Sequence, residues 1–166
     1  MISLITAIEQ AYLPALDIIK VKDSPQARVQ ILSIGLQESR FEYRRQMGNG
    51  PAMGYWQFER GGGTRGVLNH LTSAKKALAL CEARKVSADP MSVWLALEND
   101  DVLAAGFARL LLLTDPRALP ELGNTQGAWD CYIRNWRPGK PHPQTWAGFH
   151  AQAKEFVVNT YAMKIA

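Results

Sequence analysis

Between residues 41 and 63 the chain carries Gly48, Gly50, Pro51, Gly54 and the run Gly61-Gly62-Gly63, with no apolar residues at helical spacing. Helix is not sustained through such a stretch, because glycine adds entropic cost and proline removes a backbone donor. Almost everything on either side does show helical spacing. The chain must therefore fold as helices around one long internal segment, read here as loop with a short hairpin. A loop of that length inside a compact domain is usually functional.

Before this segment, Ile5, Ile8, Tyr12, Ala15 and Ile19 predict an amphipathic helix in which Pro14 kinks the chain or starts a new turn. Ser24-Pro25 is a cap followed by proline at the first helical position, and the helix it opens runs to about Glu38. Its apolar face includes Ala27, Ile31 and Ile34. Glu38 follows Ile34 at one helical turn and so falls on the buried stripe.

After the segment, Thr64 or Thr72 is expected to cap a helix carrying Val67, Leu68, Leu71, Ala74, Leu78 and Cys81. Asp89-Pro90 starts another, and Asp100-Asp101 leads into residues 102–113, apolar on nearly all sides and thus the central core helix. Asp115-Pro116 ends it. Thr125 is expected to cap a helix with Trp129, Tyr132, Ile133 and Trp136 on one stripe. Residues 137–143 form a basic, proline-rich loop, and a last helix carries Trp146, Phe149, Ala153, Phe156, Val157 and Tyr161. Residues 1–166 read as a single, mainly α domain, too short for two domains of ordinary size.

A hydrophobic fraction of 47% with 20% charged residues excludes a disordered chain. The net charge of +4 suits an anionic partner, but the basic residues are dispersed and no helix-turn-helix spacing occurs, which argues against nucleic acid. The apolar run 102–113 contains Arg109 and falls short of the roughly 20 residues a membrane span needs. Residues 1–19 are broken by Glu9 and Asp17 and lack a basic start, so no cleavable signal is read and synthesis in a cytoplasm is expected. Cys81 and Cys131 have no metal-finger spacing and are expected as free buried thiols. Neither they nor His70, His142 and His150 suggest a metal, and no cofactor is expected.

Glu38 is the first candidate for chemistry. Burial and the negative end of its helix both disfavour the carboxylate, which suits a general acid near neutral pH. The plainer alternative is a solvated carboxylate, or one paired with Arg40, Arg44 or Arg45.

Glu38-Ser39, followed by Gly50-Pro51-Ala52-Met53-Gly54-Tyr55-Trp56-Gln57, resembles the lysozyme-like superfamily, in particular the soluble lytic transglycosylases and goose-type lysozymes. Their signature is an acid and a serine at a helix end, then Gly-x-x-Gly-x-x-Gln; here the glycines stand one residue further apart. The chain is more closely similar to small phage lysins with a Gly-x-Trp-Gln-Phe-Glu turn and a Trp-Arg-Pro-Gly-Lys loop, here Gly54-Tyr55-Trp56-Gln57-Phe58-Glu59 and Trp136-Arg137-Pro138-Gly139-Lys140. Ala128-Trp129-Asp130-Cys131-Tyr132 loosely resembles the family's Ala-x-Tyr-Asn-Ala-Gly motif but lacks Asn-Ala-Gly. The likeness covers residues 31–66 well and the rest through helical order.

The resemblance implies a lysozyme-like domain that cleaves the β-1,4 bond between N-acetylmuramic acid and N-acetylglucosamine in peptidoglycan glycan strands. Such a protein is a monomeric endolysin or virion-associated lysin, reaching the periplasm or wall after release or in the virion. Glu38 would protonate the leaving oxygen. Glu59, with Glu42 behind it, would be a second carboxylate if water completes the reaction; a transglycosylase needs none, because the muramoyl 6-hydroxyl closes an anhydro ring. The other reading of Glu59 is a turn charge paired with Arg60 or Arg65. Ser39, Gln57, Tyr132, Trp136 and Arg137 are implied at the substrate, with Tyr132 able to hold the Glu38 carboxyl; the alternatives are a backbone-bonded loop amide for Gln57, core packing for Tyr132 and ordinary loop architecture for Trp136 and Arg137. Tyr55 is implied to stack on a sugar face, with burial against the core helices the equal alternative, and burial is the stronger reading for Trp56 and Phe58. The competing class is a non-enzymatic structural or wall-binding protein on the same fold.

Overall fold

Helices begin where a short polar side chain can take an orphan backbone donor. The computed structural model describes the backbone of residues 1–165 and the side chains of residues 1–161. In chain order its elements are α1 (residues 4–19), α2 (Pro25–Ser39), β1 (Ala52–Met53), β2 (Phe58–Glu59), α3 (Arg65–Asn69), α4 (Ala74–Arg84), α5 (Pro90–Leu97), α6 (Asp101–Thr114), α7 (Thr125–Trp136) and α8 (Pro143–Ile165). The domain is mainly α with one antiparallel hairpin, which pairs Ala52 with Glu59 and Met53 with Phe58. No helix among the described residues is long and apolar enough to cross a membrane.

Ser24, Asp89 and Asp100 cap α2, α5 and α6 by accepting from the backbone N–H of Ala27, Ser92 and Leu103. α1 winds as a π-helix over Ala7–Tyr12, and Pro14 is the second residue of the α-helical segment that follows. α6 is buried on nearly every side, as its sequence requires. α8 lies along α2 in the most extensive helix pairing of the molecule. Cys81 and Cys131 are free and buried.

Two expectations need correction. The helix read through Cys81 is two helices, broken at residues 70–73, and neither Thr64 nor Thr72 caps it. Leu71, taken as part of its apolar stripe, lies in the break and is 99% exposed. Thr125 is the first residue of α7; the cap is Asn124, whose Oδ1 accepts from Gly127 N.

The end of α2 is what places the site. Arg40 and Phe41 both adopt left-handed backbone, with φ of 55° and 52°, so the chain reverses sharply after Ser39. The Phe41 ring then folds back over Gly35, where an added Cβ would stand 2.1 Å from the ring. Its other sides meet Tyr55 and Trp56 edge-on, at centroid distances of 5.7 and 5.5 Å. A close approach that only glycine permits thus seats the hairpin's turn against the end of the helix.

Candidate active site

Glu38, one residue from the end of α2, keeps partial exposure. Its Oε1 accepts a 2.6 Å hydrogen bond from the hydroxyl of Tyr132 on α7. Burial raises the Glu38 pKa; the Tyr132 bond opposes the rise and the negative charge of Glu59 adds to it, leaving the carboxyl at about 7. Burial, with Glu38 beside it, pushes the Tyr132 phenol well above its ordinary value, so it remains a donor.

The basic segment after Glu38 could have cancelled this shift, but its arginines are engaged elsewhere. Arg44 makes a two-pronged pair with Asp101 at 2.5 and 2.9 Å, and its guanidinium lies over the Tyr55 ring. Arg45 pairs with Glu98 at 3.4 Å, and Arg40 lies over the Phe149 ring. The reading of Glu38 as an ion-pair partner is therefore set aside. These contacts also clamp the segment before the hairpin onto α5 and α6.

The turn of the hairpin is buried, so its carbonyls need partners. Side chains supply them in succession. Gln57 Nε2 donates to Gly54 O at 2.8 Å, Ser39 Oγ to Tyr55 O at 2.7 Å, and Trp136 Nε1 to Trp56 O at 2.9 Å. Three residues expected at the substrate thus also hold the loop. Ser39 is 2% exposed and cannot reach a ligand. Gln57 and Trp136 stay partly exposed, and their nitrogens are committed to the turn.

The stacking expected of Tyr55 is corrected, and the burial read for Trp56 and Phe58 is what the structure shows. The three are 3%, 1% and 3% exposed and pack into the core, with Trp56 Nε1 bonded to Ile31 O. A turn without regular period gives no sign of which aromatic faces inward. Arg137 is exposed in left-handed backbone at the end of α7. Glu59 is exposed on β2 and forms no ion pair among the described residues, so pairing with Arg60 or Arg65 does not occur. Glu42 is exposed as well.

An aromatic wall backs the Glu38–Tyr132 pair. Tyr132 stacks on Trp146 at 5.2 Å with planes 7° apart, and Trp129 and Trp136 lie at 5.5 and 6.4 Å. α7 is held to the end of α6 by Asp115, which accepts from Arg134 Nε at 2.7 Å and Asn135 Nδ2 at 3.0 Å. Burial alone would raise the Asp115 pKa; these bonds and one from Arg117 N outweigh it and lower it. Sequence reading assigned Trp146 to packing and missed Gln37 and Thr145, which tie α2 to α8 through a 3.0 Å bond from Thr145 Oγ1 to Gln37 Oε1.

The arrangement offers a carboxyl that is part protonated at neutral pH, held by a phenol, with a second carboxylate close enough to influence its charge. No protein-family model, curated protein or solved structure gives a significant match to the chain.

Proposed function

We propose that this chain is a peptidoglycan glycosidase that cleaves the β-1,4 bond between N-acetylmuramic acid and N-acetylglucosamine, with Glu38 as general acid. The observation that carries this reading is the Glu38 carboxyl itself, held by Tyr132 and poised at about 7. A general acid works best when its pKa lies near the operating pH. The resemblance of the Glu38-Ser39 and Gly54-Tyr55-Trp56-Gln57 stretches to the lysozyme-like superfamily supplies the substrate class, and the positive net charge suits an anionic wall.

Glu38 donates its proton to the departing sugar oxygen as the glycosidic bond breaks. The resulting oxocarbenium-like centre is captured by water, with Glu59 assisting, or by the muramoyl 6-hydroxyl, whose proton returns to Glu38. In a phage, such a protein serves as endolysin or virion-associated lysin. Mass spectrometry of digested, purified peptidoglycan tests both levels. New reducing ends identify hydrolysis, new anhydromuramoyl ends identify transglycosylation, and binding without new ends of either kind overturns the enzyme in favour of a wall-binding protein.

Glu59 gives a separate expectation under either route. Its negative charge raises the Glu38 pKa, so Glu59→Gln shifts the alkaline limb of the pH–rate profile to lower pH. An unmoved limb would show that the two carboxyls do not interact.

A further inference from the structure

The first turn of α8 grips two consecutive residues of α2, one directly and one through an intermediary. Thr145 Oγ1 donates to Gln37 Oε1 at 3.0 Å, while Gln37 Nε2 donates to His142 O at 3.0 Å. The next residue, Trp146, stacks face to face on Tyr132, which in turn holds Glu38 at 2.6 Å. Trp146 is 3% exposed, and its Nε1 donates to Thr125 O at 3.1 Å, at the opposite end of α7 from Trp136. The His150 ring lies 6.1 Å from the indole, tilted by 27°, with Nδ1 3.4 Å from Thr125 Oγ1. The indole is thus anchored by one hydrogen bond and packed against the His150 and Trp129 rings, and the phenol rests on it.

We propose that Thr145 and Trp146 are positioning residues, setting the aim of the Tyr132 hydroxyl and the Glu38 carboxyl at each other. This rests on the reading of Glu38 as the acid. The reason is mechanical. A phenol on a helix rotates about two side-chain bonds, and a hydrogen bond of this length needs both fixed. Stacking on a locked indole removes most of that freedom before substrate arrives, which lowers the cost of reaching the reactive geometry. Burial alone would be met by any apolar residue of similar volume; the parallel geometry and the anchored indole nitrogen would not.

The test is a double-mutant cycle with two readouts. Tyr132→Phe, Trp146→Leu and the double variant are compared by the Glu38 carboxyl titration, followed by carbon NMR without substrate, and by kcat and KM on soluble glycan strands. Tyr132→Phe removes a bond to the charged form, so the Glu38 midpoint rises and kcat falls about tenfold with little change in KM. Trp146→Leu is expected to do the same, and the double variant to match Tyr132→Phe alone. Shifts that add in the double variant, or a Trp146→Leu midpoint equal to wild type, overturn the proposal. Should Trp146→Leu lose its helical circular dichroism, Trp146→Phe takes its place in the cycle. Thr145→Val, at a partly exposed position, is the second probe; it raises the midpoint in the same direction, and no change overturns the part assigned to Thr145. The titration needs no turnover, so failure of the glycosidase reading shows as absent cleavage beside a coupled titration, and failure of the clamp as the reverse.

Discussion

If the chain is a glycosidase, replacing Glu38 with Gln is expected to lower its cleavage rate by roughly 100- to 10,000-fold while the fold persists. Glutamine keeps the shape and can still accept from Tyr132 Oη, but has no proton to give. The same variant carries a second signature in its stability. The Glu38 carboxyl titrates at about 7 in the folded protein, against an ordinary value of 4.5. The folded state therefore binds the proton more tightly than the unfolded chain. That contribution is complete below about pH 4.5 and is lost as pH rises through about 7. At higher pH a charged Glu38 costs up to about 3 kcal/mol, which glutamine does not incur. Urea unfolding at about pH 4 should find the two proteins equally stable; at about pH 8.5 the variant should be the more stable. Parallel pH profiles would show that Glu38 is not held near neutrality, and wild-type cleavage of peptidoglycan by the variant would remove it from the chemistry. On the glycosidase reading, an inactive variant more stable than its parent at high pH is what a buried catalytic carboxyl produces.

Gly54→Ala should be the most damaging small substitution in the hairpin. Gly54 has φ of +76°, and an added Cβ would lie 2.7 Å from the backbone oxygen of Leu97 and 3.4 Å from the Ala104 Cβ. The oxygen belongs to the end of α5 and cannot rotate away as a side chain would. Left-handed backbone costs alanine about 1–2 kcal/mol, and the overlap raises the total to about 2–4 kcal/mol. For a domain of this size that corresponds to a fall in Tm of roughly 5–15 °C. A Tm within about 2 °C of wild type would mean that the turn accommodates the methyl freely. The turn also carries Glu59 on the strand that follows it. Its displacement should lower the Glu38 midpoint, though burial, the larger cause, still holds it raised, which links a packing defect to this carboxyl.

The helical frame was legible because its signals are local. Ser24-Pro25 and Asp89-Pro90 start helices with their own side chains, and the glycines of residues 41–63 forbid one. Glu38 was legible for a related reason, since its spacing from Ile34 fixes the face it occupies. The turn was not. Ser39, Gln57 and Trp136 each donate to one of three successive carbonyls in the turn, which the sequence offers only for Gln57, as the alternative to a sugar contact. Their donors are the kind a sugar would use, and only the buried course of the turn shows that the backbone takes them first. Tyr55 misled similarly, because an aromatic outside a periodic element has no predicted face. Trp146 was visible as a core residue, yet its alignment with Tyr132 depends on how α7 and α8 cross, which no local pattern records. The apolar stripe read through Leu71 and Leu78 failed on a local break: Ser73 Oγ donates to Val67 O six residues earlier, stapling a reversal that propensity does not require.

The pairing of α8 with α2 also bears on when this protein becomes competent during its own synthesis. The Glu38 carboxyl waits for a hydroxyl that lies 94 positions later, and the indole behind that hydroxyl comes later still. A nascent chain can form α1 and α2 early, but it closes so distant a contact only after paying the entropy of a very long loop. Until the first turn of α8 leaves the ribosome, Tyr132 lacks its parallel indole partner and Gln37 has no Thr145. Incomplete chains released before that point would carry the acid without the means to aim it. On the glycosidase reading, chains that stop before Trp146 spare the host wall, and lytic capacity arrives almost as an all-or-none event once α8 has been made.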